Sequence, residues 1–97
     1  MSMNSIPTKD QIKLVPKVLL HDHLDGGLRP QTIIDIAQEI GYTALPTLDA
    51  TELATWFRES CDSGSLVRYL ETFSHTIAVM QRREDIIRVA RECAIDL

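Results

Sequence analysis

A basic excess, abundant cysteine or aromatic residues, and long apolar runs are all missing from this sequence, and each absence removes a class of protein. Ten Lys and Arg stand against fourteen Asp and Glu, a formal charge of −4, whereas nucleic-acid binding usually rests on a basic face. Arg82, Arg83 and Arg88 are diluted by Glu84, Asp85 and Glu92 on the same stretch, the composition of a solvated helix surface. No nucleic-acid partner is expected. No stretch approaches the roughly eighteen apolar residues of a membrane span. The leader Met1 to Asp10 has no apolar core of the signal-peptide kind. No membrane partner is therefore expected, and the expected location is cytoplasmic. The two cysteines, Cys61 and Cys93, have no metal-motif spacing and read as free thiols of a reducing compartment. Cys93 is expected to pack in a helix core as a small hydrophobe.

With four glycines and four prolines in 97 residues, no internal repeat and no low-complexity linker, the chain reads as part of one domain over residues 1–97. What is present is helical patterning. A short helix is expected near Thr8 to Leu14. A second is expected from Pro30 to Ile40, with Ile33, Ile34, Ala37 and Ile40 on one face and Gly41 as its stop. Thr51 can cap a third helix running to about Arg58. Ser65 can cap a fourth that carries Leu66, Tyr69, Leu70, Phe73, Ile77 and Met80. Glu84 to Leu97 reads as a fifth, with Ile86, Ile87, Val89, Ala90, Cys93, Ala94 and Leu97 on its apolar face. Trp56 and Phe57 are expected to anchor this helical insertion by burial. His75, two residues after Phe73, is expected to face solvent or bond locally, with no role at a metal.

The stretch that departs from this pattern is His21-Asp22-His23-Leu24-Asp25-Gly26-Gly27, which follows the apolar run Val18-Leu19-Leu20. If that run is a strand, both imidazoles leave its carboxyl end on the same side. Imidazole nitrogen is the commonest protein ligand for zinc, and two from one strand end would supply half of a tetrahedral shell. A His-x-His pair also occurs at strand ends that bind nothing, so the context matters. Asp25-Gly26-Gly27 is a turn sequence that lets a ligand approach the backbone closely, and Arg29-Pro30 then opens a helix.

Pro16 to Ile33, reading PKVLLHDHLDGGLRPQTI, resembles the first barrel strand and following loop of adenosine deaminases, whose pattern is His-x-His-Leu-Asp-Gly, a small residue, then Leu/Ile-Arg-Pro-x-Thr. The likeness continues more weakly to Leu97. It implies an α/β fold, the amino-terminal part of a (β/α)8 TIM barrel: one strand, then a mostly helical segment with a lid insertion. It also implies zinc-dependent hydrolysis of the 6-amino group of adenosine, and of 2′-deoxyadenosine, to give inosine and ammonia in purine salvage. Carried over by position, His21 and His23 would bind Zn2+, and Asp25 would accept a hydrogen bond from the ribose 5′-hydroxyl. His23, Leu66, Tyr69, Leu70 and Phe73 would border the substrate. By periodicity alone, that last stripe would read as plain core.

Such a barrel takes roughly 250 residues, and the catalytic acid–base groups and remaining zinc ligands of that family lie on later strands. No catalytic residue is therefore expected within this chain, which reads as the amino-terminal portion of a deaminase, inactive alone. Two other readings share the motif: another aminohydrolase of the same class, acting on adenine or AMP, and a non-catalytic fragment that associates with a partner. The oligomeric state is not legible.

Overall fold

The computed structural model describes residues 6–97, and the first half of the leader, Met1 to Ser5, lies outside them. Five α-helices follow in order: α1 (Lys9–Leu14), α2 (Pro30–Ile40), α3 (Ala50–Cys61), α4 (Leu66–Ala78) and α5 (Arg83–Asp96). A single 3₁₀ turn, Leu24–Gly26, precedes α2. None of these helices is long and apolar enough to cross a membrane.

The helix starts follow local chemistry. Thr8 accepts from the Gln11 backbone N–H while the Gln11 side chain returns to the Thr8 N–H, a reciprocal cap for α1. Pro30 opens α2, and Gly41 closes it at φ 74°, a left-handed conformation that costs glycine nothing. Ser65 caps α4 by accepting from the Arg68 N–H. The cap of α3 is Asp49 and not Thr51, because the Asp49 carboxylate reaches the Glu52 N–H at 2.9 Å. Thr51 falls inside the first turn, and the helix continues to Cys61, beyond the expected end.

Helix α2 is the centre. Ile33, Ile34, Ile36 and Ala37 are buried together with Leu53 of α3, Val79 just past α4 and Val89 of α5. Leu28, Tyr42, Trp56 and Phe57 pack around them. Charged pairs reinforce the edges. Arg82 grips the buried Asp85 at 2.6 and 2.9 Å and reaches Glu39 of α2 at 2.7 Å, so the start of α5 is tied to the end of α2. Arg88 of α5 reaches Asp35 of α2 at 2.9 Å.

Three expectations are corrected. No strand forms among the described residues: Val18-Leu19-Leu20 runs without regular structure, with Val18 82% and Leu20 91% exposed. A strand is defined by its ladder partners, and none of the helices offers one. The fold of the described residues is thus helical. The apolar stripe of α5 is buried only at Val89; Ile86 and Ile87 remain exposed. His75 neither faces solvent nor bonds locally. Its Nδ1 lies 2.8 Å from the Tyr42 hydroxyl, and Trp56 meets its ring edge-on at 5.3 Å.

Leu53 is fully buried, so Leu53→Ala should destabilise the chain by about 2–5 kcal/mol, read as a lower midpoint in urea unfolding. Burial holds the His75 pKa below its ordinary value, against a smaller opposing pull from Glu71. The neutral form is therefore favoured in the folded chain, and its stabilisation is present above about pH 6.5 and lost as pH falls below it. Asp35 and Asp96 have lowered pKa values, through hydrogen bonds from Gln31 and Arg88 and from Arg29 respectively, so they lose their contribution only in the more acidic carboxylate range. The unfolding midpoint should drop between pH 7.5 and pH 5.5, and His75→Gln should flatten that drop.

Candidate functional site

The residues from His21 to Gly27 form a loop laid across the helical core. Gly26 N–H donates to the His23 carbonyl and Gly27 N–H to the Leu24 carbonyl, each at 3.1 Å, which coils the segment into the 3₁₀ turn carrying Asp25. Leu24 is partly buried against the core and pins the turn from below. His21 and His23 stand just before it on exposed backbone.

Their Nε2 atoms approach to 2.7 Å, with the ring centroids 4.8 Å apart and the planes inclined at 42°. Which ring nitrogen donates in this contact and which accepts follows from the tautomers. No strand is needed for this convergence, because extended backbone at His23 (φ −117°, ψ 114°) already places alternate side chains on one side. Two imidazole nitrogens brought this close are ligands of the kind a zinc ion takes, and they would make half of a four-coordinate shell. Among the described residues, no third His, Cys, Asp or Glu completes a cluster around them.

Facing the pair is α4. Tyr69, Leu70, Phe73 and Ile77 wall an open groove of 630 Å³ whose other side is His21, His23 and Asp25, with the backbone of Gly26 and Gly27 as its floor. Tyr69 and Phe73 meet edge to face at 5.4 Å, so each ring fixes the other. A smaller cavity of 270 Å³ continues behind the groove, sharing Asp25, Tyr69 and Phe73 and reaching Phe57 and Cys61 of α3. An apolar wall opposite a carboxylate and two imidazoles suits a flat heteroaromatic ligand that carries polar groups at one end.

Six of the seven residues expected at a metal or substrate site thus border one groove: His21, His23 and Asp25 from the loop, and Tyr69, Leu70 and Phe73 from α4, with only Leu66 left outside. Leu66 is the first residue of α4, is 70% exposed, and does not line the groove. Ile77 joins instead. It continues the same stripe four residues after Phe73, so its signal was present in the spacing.

Two neighbours left no local signal. Cys93 of α5 is not core; its thiol donates to Asp22 at 3.4 Å, and this bond to a carboxylate, together with partial burial, raises its pKa. Arg29 pairs with Asp96, 67 positions away. Trp56 and Phe57 pack on the core as expected, and Phe57 also lines the rear cavity.

Residues 16–97 match the sequence profile described as adenosine deaminase. The chain is 62% identical over 96 residues to the protein named Adenosine deaminase 1 of Streptomyces coelicolor, covering 99% of this chain and 24% of that relative. It is 62% identical over 95 residues to the Adenosine deaminase of Mycobacterium ulcerans, covering 98% of this chain and 26% of the relative. It is 64% identical over 88 residues to that of Mycobacterium avium, covering 91% and 24%. The chain therefore spans about a quarter of the length of the curated relatives it matches. No solved structure matches it. A profile match over nearly the whole chain, on the residues that build the groove, establishes that the chain belongs to the adenosine deaminase family.

Proposed function

We propose that this chain is the amino-terminal portion of an adenosine deaminase of (β/α)8 barrel architecture, whose complete polypeptide hydrolyses adenosine and 2′-deoxyadenosine to inosine and ammonia in the cytoplasm. The observation that carries this reading is the groove itself, where two adjacent imidazoles and a carboxylate face an aromatic wall across an open space. In the barrel, Val18-Leu19-Leu20 becomes the first strand, which accounts for an apolar run whose residues are exposed here.

His21 and His23 would hold a zinc ion through Nε2, the atoms that already converge. When bound, that ion supplies a nucleophile for hydrolysis at neutral pH. Everything else these residues do is binding and orientation. Asp25, fixed in the 3₁₀ turn, accepts a hydrogen bond from the ribose 5′-hydroxyl. A carboxylate accepting from a neutral hydroxyl makes a charge-assisted bond, and its position one turn from His23 sets the distance between sugar and reacting carbon. Tyr69, Leu70 and Phe73 cover the purine face and keep water from it. Proton delivery to the departing amine falls to residues outside this segment, so the 97-residue chain alone is inactive. Asp25 favours a free nucleoside over adenine, which lacks the sugar, and over AMP, whose 5′-phosphate would repel the carboxylate.

In the complete polypeptide, His23→Ala should abolish tight zinc binding and deamination together; near-normal metal content by elemental analysis would remove the pair from the site. Asp25→Asn should lower kcat/KM for adenosine by about ten- to a hundredfold while leaving 5′-deoxyadenosine much less affected, since a charge-assisted bond contributes about 1.5–3 kcal/mol. Equal losses on the two nucleosides would contradict the assigned bond.

A further inference from the structure

The loop that carries His21, His23 and Asp25 has few internal tethers: two 3₁₀ hydrogen bonds, and beyond them Gly26, Gly27 and the exposed backbone before His23. Leu24 anchors its middle on the core, and the carboxyl-terminal turn of α5 bonds to the chain on either side. At the near end, Cys93 donates to Asp22, between the two histidines, at 3.4 Å. At the far end, Arg29 sets its planar fork on Asp96, Nε to Oδ2 at 2.9 Å and Nη2 to Oδ1 at 2.7 Å, with Glu92 3.5 Å from its remaining nitrogen. Glu92 is itself fixed, accepting from the Thr32 hydroxyl of α2 and from Arg88 at 3.3 Å.

We propose that Arg29 is a positioning residue for the groove: with Asp96 and Glu92 it clasps the His21–Gly27 loop to α5 and so sets the spacing between the loop's polar groups and the α4 wall. The inference rests on the deaminase reading for its kinetic consequence, but its geometry is independent of it.

Three features separate this role from a plain surface ion pair. Arg29 stands at the N-cap position of α2, yet its side chain makes no capping bond there and crosses to α5 instead. The residue precedes Pro30, so its backbone is confined to extended conformations (φ −66°, ψ 136°), and fixing the guanidinium fixes the chain direction out of the loop. The pair is also half exposed, at 40% for Arg29 and 47% for Asp96, where an ion pair contributes little to global stability. Its product is geometry. The bidentate match is specific to the guanidinium, and a lysine ammonium supplies the charge without the fixed fork.

The test uses the complete polypeptide, zinc-loaded and labelled with [13C]histidine, as wild type, Arg29→Gln, Arg29→Lys and Asp96→Asn. Arg82→Gln is the control: it breaks a comparable ion pair on the other end of α5, remote from the loop. Arg29→Gln and Asp96→Asn should each lower kcat/KM for adenosine about fivefold, with Arg29→Lys intermediate, since small displacements of positioned groups carry losses of this order. The His21 and His23 ring signals should shift in both. Arg82→Gln should lower the melting temperature without moving those signals or the rate. Unmoved histidine signals in Arg29→Gln, an equal shift in the control, or a kcat/KM within about 1.5-fold of wild type would each overturn the clasp. A wild-type polypeptide inert toward adenosine would instead sink the deaminase reading, and the histidine signals alone would then decide the role of Arg29.

Discussion

Burial of one face of α2 is the interaction on which the rest depends. Ile33, Ile34, Ile36 and Ala37 are the contiguous apolar surface against which Leu53, Val79 and Val89 close from three other segments. Each large side chain so buried contributes about 1.5–3 kcal/mol. Because α2 begins only three residues past Gly27, its position also fixes where the His21–Gly27 loop lies. The core and the groove share this helix as a common frame: one face of it is packed, and its entry loop is offered to the groove.

The groove follows from a division of labour between apolar and polar contacts. Helix α4 buries Thr72 and Thr76 inward, bonding them back to its own carbonyls, and turns Tyr69, Leu70, Phe73 and Ile77 toward the loop. Its large apolar side chains therefore line a cavity while its small polar ones face the interior, the reverse of an ordinary core helix. Charges hold the α2 and α5 frame together at its rim, through Arg29, Arg82 and Arg88, and leave the groove free of Lys and Arg.

Much of this was legible in residues 30–97, and less in what precedes them. The span of α2, its Gly41 stop and the Ser65 cap were all set by short-range rules of backbone geometry and side-chain capping. The α3 cap shifted from Thr51 to Asp49 because two candidate oxygens compete within three residues, and only the geometry selects the one that reaches an N–H. The run Val18-Leu19-Leu20 carries strand chemistry and forms no strand, since pairing is a property of neighbours and not of the run. His75 and Cys93 were misplaced for a similar reason: their partners, Tyr42 and Asp22, lie 33 and 71 residues away.

The sequence by itself determined the family, through His21-x-His23-Leu24-Asp25-Gly26 and the Arg29-Pro30 that follows, along with the order and approximate bounds of the helices. Those depend on contacts within four residues, which a linear reading can count. Only the tertiary structure decided that Tyr69, Leu70 and Phe73 stand across from the imidazoles while Leu66 does not, and that α5 reaches the loop through Cys93 and Arg29. Such juxtapositions are settled by how helices pack, and packing is chosen by the sum of many distant contacts that no local spacing records.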